Sequence, residues 1–113
     1  MLSRKEILEK KTLRADVLSF CYLIANGHSH NPDDPNLIAK GTLSQSLEYA
    51  GKLPSDDALN DAIRYLQGLK ALNVEWIEDG DGDWLKVRLE IYGMDLVEGS
   101  VSHKGLLFPK RRK

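Results

Sequence analysis

From Leu85 to Ile91 the chain alternates without a break: Leu85, Val87, Leu89 and Ile91 are apolar, and Lys86, Arg88 and Glu90 between them are charged. That is the period of a strand with one face buried, and a helix would scatter these apolar groups around its axis. A second short run, Val74 to Glu78, precedes it, and Asp79-Gly80-Asp81-Gly82-Asp83 stands between the two. Asp-Gly pairs favour the tight turn of a hairpin, so strands are predicted at 74–78 and 84–91. With Asp81-Gly82 as the turn, Val74 and Trp76 fall on the core face with Leu85, Val87 and Leu89. Glu75 and Ile77 fall on the outer face with Trp84, Lys86 and Arg88.

The hairpin is fed by a helix, predicted over 56–72. Ser55 can cap it, and Asp56 and Asp57 sit in its first turn, where a carboxylate favours the positive helix end. Leu59, Ile63, Leu66 and Leu69 or Lys70 recur at helical spacing, with Ala62 and Leu72 on the same stripe; Asn73 tolerates the left-handed turn just past a helix. An earlier helix is predicted over 13–26, with Leu13, Val17, Phe20, Cys21 and Ile24 on one stripe and Gly27 ending it. Ser3-Arg4-Lys5-Glu6 matches a capping box, and opens either a short helix carrying Ile7 and Leu8 or a frayed terminus. Thr42 to Gln45 is another capping box, placing a helix at 42–51 with Leu43, Leu47 and Ala50 inward and Gly51 at its end. Before it, 28–36 reads as a loop, and Leu37-Ile38-Ala39 as a short strand pairing with the hairpin, unless Pro35 opens a helix instead. After the hairpin, Met94, Leu96 and Val97 suggest a helical turn or two ending at Gly99, and Leu106, Leu107 and Phe108 can dock a weakly ordered tail. Leu59, Ile63, Leu66, Val87 and Leu89 form the expected core.

Two helices, then a third helix running into a hairpin, is the element order of a winged helix-turn-helix. The third helix followed by ALNVEWIEDGDGDWLKVRLEIYGMDLVEG resembles the recognition helix, wing and closing helix of winged-helix DNA-binding domains. The stretch YGMDLVEGSV, with a later Gly and Pro followed by basic residues, is similar to small winged-helix proteins of Mu-like phages and prophages. The resemblance spans residues 13–109. It implies a mainly α chain with a small β-hairpin (α+β): a three-helix core plus wing. The parts are then a basic N-terminal arm or short helix at 1–12, the domain at 13–99 and a basic tail at 100–113. These motifs are signatures of fold, and function has to be argued from the surface.

The chain has 113 residues, the size of one domain, and is 42% hydrophobic. No apolar run reaches membrane-spanning length, and Met1 to Lys11 lacks the apolar stretch of a signal peptide. The single Cys21 makes no internal disulfide, so a cytoplasmic protein with no membrane partner is expected. The net charge of −1 conceals a division. Residues 15–103 hold six basic and fifteen acidic residues, whereas 1–14 hold five basic and two acidic, and 104–113 hold five basic and none acidic. A nucleic-acid binder usually has a basic face on its domain, and the acidic middle counts against one here.

The third helix is the candidate DNA reader. Its outward face is predicted to carry Asp57, Asn60, Asp61, Arg64, Gln67 and Ala71, of which Asn60, Arg64 and Gln67 are types that bond base edges in the major groove. The same pattern suits an ordinary solvated helix face. Lys86 and Arg88 on the outer wing face can reach phosphate, with Glu75 opposite Arg88 competing for it. Lys110, Arg111, Arg112 and Lys113, with Arg4, Lys5, Lys10, Lys11 and Arg14, are the best electrostatic handles, or else solubilising ends. Asp79, Asp81, Asp83 and Glu90 match four positions of an EF-hand loop, but Trp84 stands where that loop needs Gly, so a solvated wing tip is expected. His28, His30, Asp33 and Asp34 lie in a Pro-rich loop that fixes no metal geometry, and Cys21 has no catalytic partner in any motif. No phosphate loop or nucleophile elbow is present; no enzyme activity, cofactor, metal or small-molecule substrate is expected. Two functions follow. One is a DNA-binding transcriptional regulator of phage type acting on double-stranded DNA. The other is a winged helix for protein contact or homodimerisation, its acidic surface facing a partner and Trp84 or Tyr92 serving as anchors.

Overall fold

The computed structural model describes residues 2–27, 32–77 and 83–109. Ser3 opens α1 (Arg4–Ala25) with the predicted capping box: its hydroxyl accepts from the Glu6 amide, and the Glu6 carboxylate accepts from the Ser3 amide. The expected N-terminal arm and first helix are thus one helix of 22 residues. β1 (Leu37–Ala39) leads directly into α2 (Lys40–Tyr49), then α3 (Asp56–Gly68), β2 (Leu72–Trp76), β3 (Trp84–Leu89) and α4 (Ile91–Glu98). The fold is α+β, with four helices and a three-stranded antiparallel sheet ordered β1-β3-β2. β1 pairs with β3 through Ile38 and Val87, as the sequence suggested.

Helix ends account for two corrections. α2 begins before its expected capping box: Ala39 is the N-cap without a side-chain bond, and Thr42 lies inside the helix, its carbonyl accepting from Ser46. α3 stops at Gly68, short of 72, in a Schellman motif: the Lys70 amide donates to Gln67 O and the Ala71 amide to Leu66 O. Lys70, not Asn73, takes the left-handed conformation, at φ 67°. Asn73 and Leu72 belong to β2, and Ala71, expected on the outward helix face, is buried. α2 ends in the same pair of bonds, with Gly51 at φ 70° in the left-handed position.

The hairpin register departs from the simple alternation. Val74 pairs with Val87 and Glu75 with Lys86, but Trp76 pairs with Trp84, so Leu85 is an extra residue in β3. Such a bulge moves every residue beyond it to the opposite face. Trp84 therefore turns into the core, 1% exposed, and Leu85 turns out, 50% exposed, the reverse of the expectation. Glu75 faces Lys86, and Asn73 takes the place opposite Arg88. The Asp81-Gly82 turn lies outside the described residues.

α1, α2 and α3 cover one face of the sheet. Leu59, Ile63, Leu66, Val87 and Leu89 are each at most 2% exposed, as expected, together with Val17, Leu18, Ile38, Leu43, Leu47 and Leu72. α4 closes the edge. A Cβ on Gly93 would lie 2.4 Å from the Ala71 carbonyl oxygen, so only glycine lets α4 approach the α3–β2 junction so closely. Tyr92, a predicted surface anchor, is half-buried against the core. The C-terminal segment returns along α1: the Leu107 amide donates to the Lys11 carbonyl, and Leu106 is buried. No described helix is long and apolar enough to cross a membrane.

Candidate functional site

The predicted reader residues lie against the hairpin. β2 and β3 bring two indoles side by side, and each donates to an amide on α3. Trp84 Nε1 donates to Asn60 Oδ1 at 3.0 Å, and Trp76 Nε1 donates to Gln67 Oε1 at 2.7 Å. Both amides are thereby half-buried acceptors in the α3–hairpin contact. A buried indole N–H needs such a partner, because an unmet donor would cost about 1–3 kcal/mol. The bulge at Leu85 creates this arrangement, since without it Trp84 would point to solvent.

Arg64 lies between these two amides on α3 and is half exposed. Its guanidinium stacks over the Trp76 ring at 5.0 Å and sits 3.6 Å from the Asp61 carboxylate. The rest of the exposed arc of α3 carries Asp56 and Asp57 in the first turn and Gly68 in the last. In three dimensions this helix face is acidic.

The hairpin cations are also matched. Arg88 makes a two-pronged pair with Asp34, at 2.8 and 2.6 Å, tying β3 to the segment before β1. That pairing holds the Asp34 carboxyl below its ordinary value and raises the Arg88 guanidinium above its own. Lys86 lies 4.0 Å from Glu75. Lys40, at the start of α2, bonds Asp83 and lies over the Trp84 ring, and Asp83 in turn accepts from the Trp84 amide. Hydrogen bonding from Lys40 and from that amide lowers the Asp83 carboxyl. Asp83 is thus a clamp where the loop between the strands enters β3. Lys70, exposed just past α3, stands outside these pairs among the described residues.

Of the terminal cations, Arg14 has a structural task. It stacks on Tyr65 at 3.7 Å and donates to the Gly105 carbonyl at 3.2 Å, locking the C-terminal segment onto α1 and α3. A Cβ on Gly105 would lie 1.8 Å from the Tyr65 hydroxyl, so the segment fits only with glycine there. Arg4, Lys5 and Lys10 are exposed along α1. Lys110, Arg111, Arg112 and Lys113 lie outside the described residues, as do His28, His30, Asp79 and Asp81.

Among the described residues no group of three His, Cys, Asp or Glu side chains is placed to hold a metal ion. Cys21 is fully buried, and burial pushes its thiol up to about 12, which keeps it protonated and unreactive. The partners that sequence reasoning missed, Asp34 for Arg88 and Lys40 for Asp83, are 54 and 43 residues apart and follow no local pattern. The chain matches no family model, no curated protein and no solved structure.

Proposed function

We propose that the chain is a winged helix-turn-helix whose α3 and wing serve a protein contact rather than base reading. The winged-helix assignment is supported by the order helix, strand, helix, helix, hairpin, with β1 added to the wing sheet. One observation carries the functional half. On the α3–wing face the amide oxygens of Asn60 and Gln67 already accept from Trp84 and Trp76, Arg64 sits between Trp76 and Asp61, and the exposed acids Asp56, Asp57 and Asp61 outnumber it. In sequence, Glu78, Asp79 and Asp81 stand between β2 and β3 and lie outside the described residues. A phosphate backbone is repelled by such a face, whereas a basic protein surface complements it. Trp84 is not the anchor of that contact, being buried; electrostatics carries it.

The test compares two probes on the full chain at low salt, a random-sequence duplex and an arginine-rich peptide. Peptide binding that weakens in an Asp56→Asn, Asp57→Asn, Asp61→Asn variant supports the proposal. Duplex binding in place of peptide binding, weakened by Arg64→Ala and untouched by the three Asp→Asn changes, overturns it.

A second reading is favoured by the Leu107–Lys11 hydrogen bond, which brings Leu107 alongside the half of α1 that carries Lys10, Lys11 and Arg14. In it the chain is a DNA-binding regulator of the phage type it resembles, gripping phosphates through its ends. Deleting residues 110–113 would then lower the salt slope of log affinity by at most about 0.9 for each phosphate no longer neutralised, with Arg64→Ala without effect.

A further inference from the structure

The first turns of α1 project with nothing of the described chain over them, and beside them lies an open, mostly apolar groove of about 600 Å³. Leu8, 43% exposed, and the half-buried Leu13 form its apolar floor. Lys5, Glu9, Thr12 and Asp16 line the same side of α1. Apolar surface left open beside a helix is stabilised when a partner covers it.

From the pattern on this face we infer that its occupant is the same face of a second copy, the two α1 helices running antiparallel across a two-fold axis. Place the axis between Lys10 and Lys11. Lys5 then meets Asp16 of the other copy, Leu8 meets Leu13, and Glu9 meets Thr12, each pairing made twice. The groove maps onto itself: apolar groups meet apolar groups, and its basic N-terminal end meets its acidic C-terminal end. A parallel arrangement would put Lys5 against Lys5 and Asp16 against Asp16. Lys52, already 3.6 Å from Asp16, stands within a helical turn of the position that Glu9 of the second copy takes. Arg4 remains at the solvated rim. A patch confined to one helix makes a small interface, so the dimer is weak and in exchange with monomer. It leaves the α3–wing face open and is independent of the function proposed for that face.

Sedimentation equilibrium of the full chain, from micromolar to submillimolar concentration, tests it. A monomer–dimer equilibrium is expected. Leu8→Asp should weaken it by about tenfold or more, since it puts a charge against Leu13. Leu8 is solvent-facing, so a urea melt of that variant should match the parent and certify its fold. Lys5→Glu should also weaken the dimer, because it sets a carboxylate against Asp16 of the second copy. A wild-type chain that stays monomeric throughout overturns the inference. So does a dimer indifferent to Leu8→Asp or to Lys5→Glu.

Discussion

The indole N–H of Trp84 donates to the side-chain oxygen of Asn60, 3.0 Å away, across the joint between wing and third helix. Trp84 is 1% exposed, so the bond lies where water cannot replace it. Asn60→Ala should therefore destabilise the fold by about 1–3 kcal/mol, the cost of a buried donor left unmet. Urea denaturation measures this. An unchanged stability accompanied by lost duplex binding would return Asn60 to the role of base reader.

Leu66 is fully buried in the stripe of α3 that faces the sheet. Leu66→Ala should cost about 2–5 kcal/mol, the range for a truncated core leucine. Chemical denaturation checks it, and a loss below about 1 kcal/mol would mean that the site collapses freely around the smaller side chain.

Lys70 ends α3 at φ 67°, in the position that Gly51 fills at the end of α2. A side chain there costs about 1–2 kcal/mol in left-handed backbone strain, against about 0.5–1 kcal/mol for the extra freedom glycine has when unfolded. Lys70→Gly should accordingly raise stability by somewhat under about 1 kcal/mol, read as a higher urea midpoint at unchanged slope. A lower midpoint would show that the lysine side chain makes a contact worth more than the strain.

Asp34 titrates below its ordinary 3.8 because Arg88 bonds its carboxylate. A carboxyl lowered on folding stabilises the native state above the unfolded pKa, and that contribution fades as pH falls through the folded one. The Arg88 pair should thus be present at neutral pH and lost on acidification from 3.8 downward. Asp34→Asn should lower stability slightly at neutral pH and flatten this part of the acid limb. The pair is at the surface, so added salt should shrink the difference. Parallel stability–pH curves for the two chains would show that the pair contributes nothing.

The sequence alone determined the elements that rest on local chemistry. The Ser3–Glu6 box, the Ser55 cap and the 59/63/66 stripe involve residues within a turn or two of each other, so the start of α3 and its buried stripe were legible, as was the buried side of Val87 and Leu89, whereas the continuity of α1 from Arg4 through 13–26 was not. The element order was legible for the same reason. Tertiary structure decided what depends on distant partners. Alternation through Leu85 reads as a regular strand, and only packing selects the bulge: a buried indole that finds Asn60 gains more than the smaller Leu85 would in its place. That one shift made Asn60 an acceptor for Trp84 of the wing. The pairing of Arg88 with Asp34, the Arg14 stack on Tyr65 and the return of Leu107 to Lys11 likewise join parts of the chain that no spacing relates. The number of charges was therefore written in the sequence, but which of them remain exposed to a partner was settled only when the chain folded.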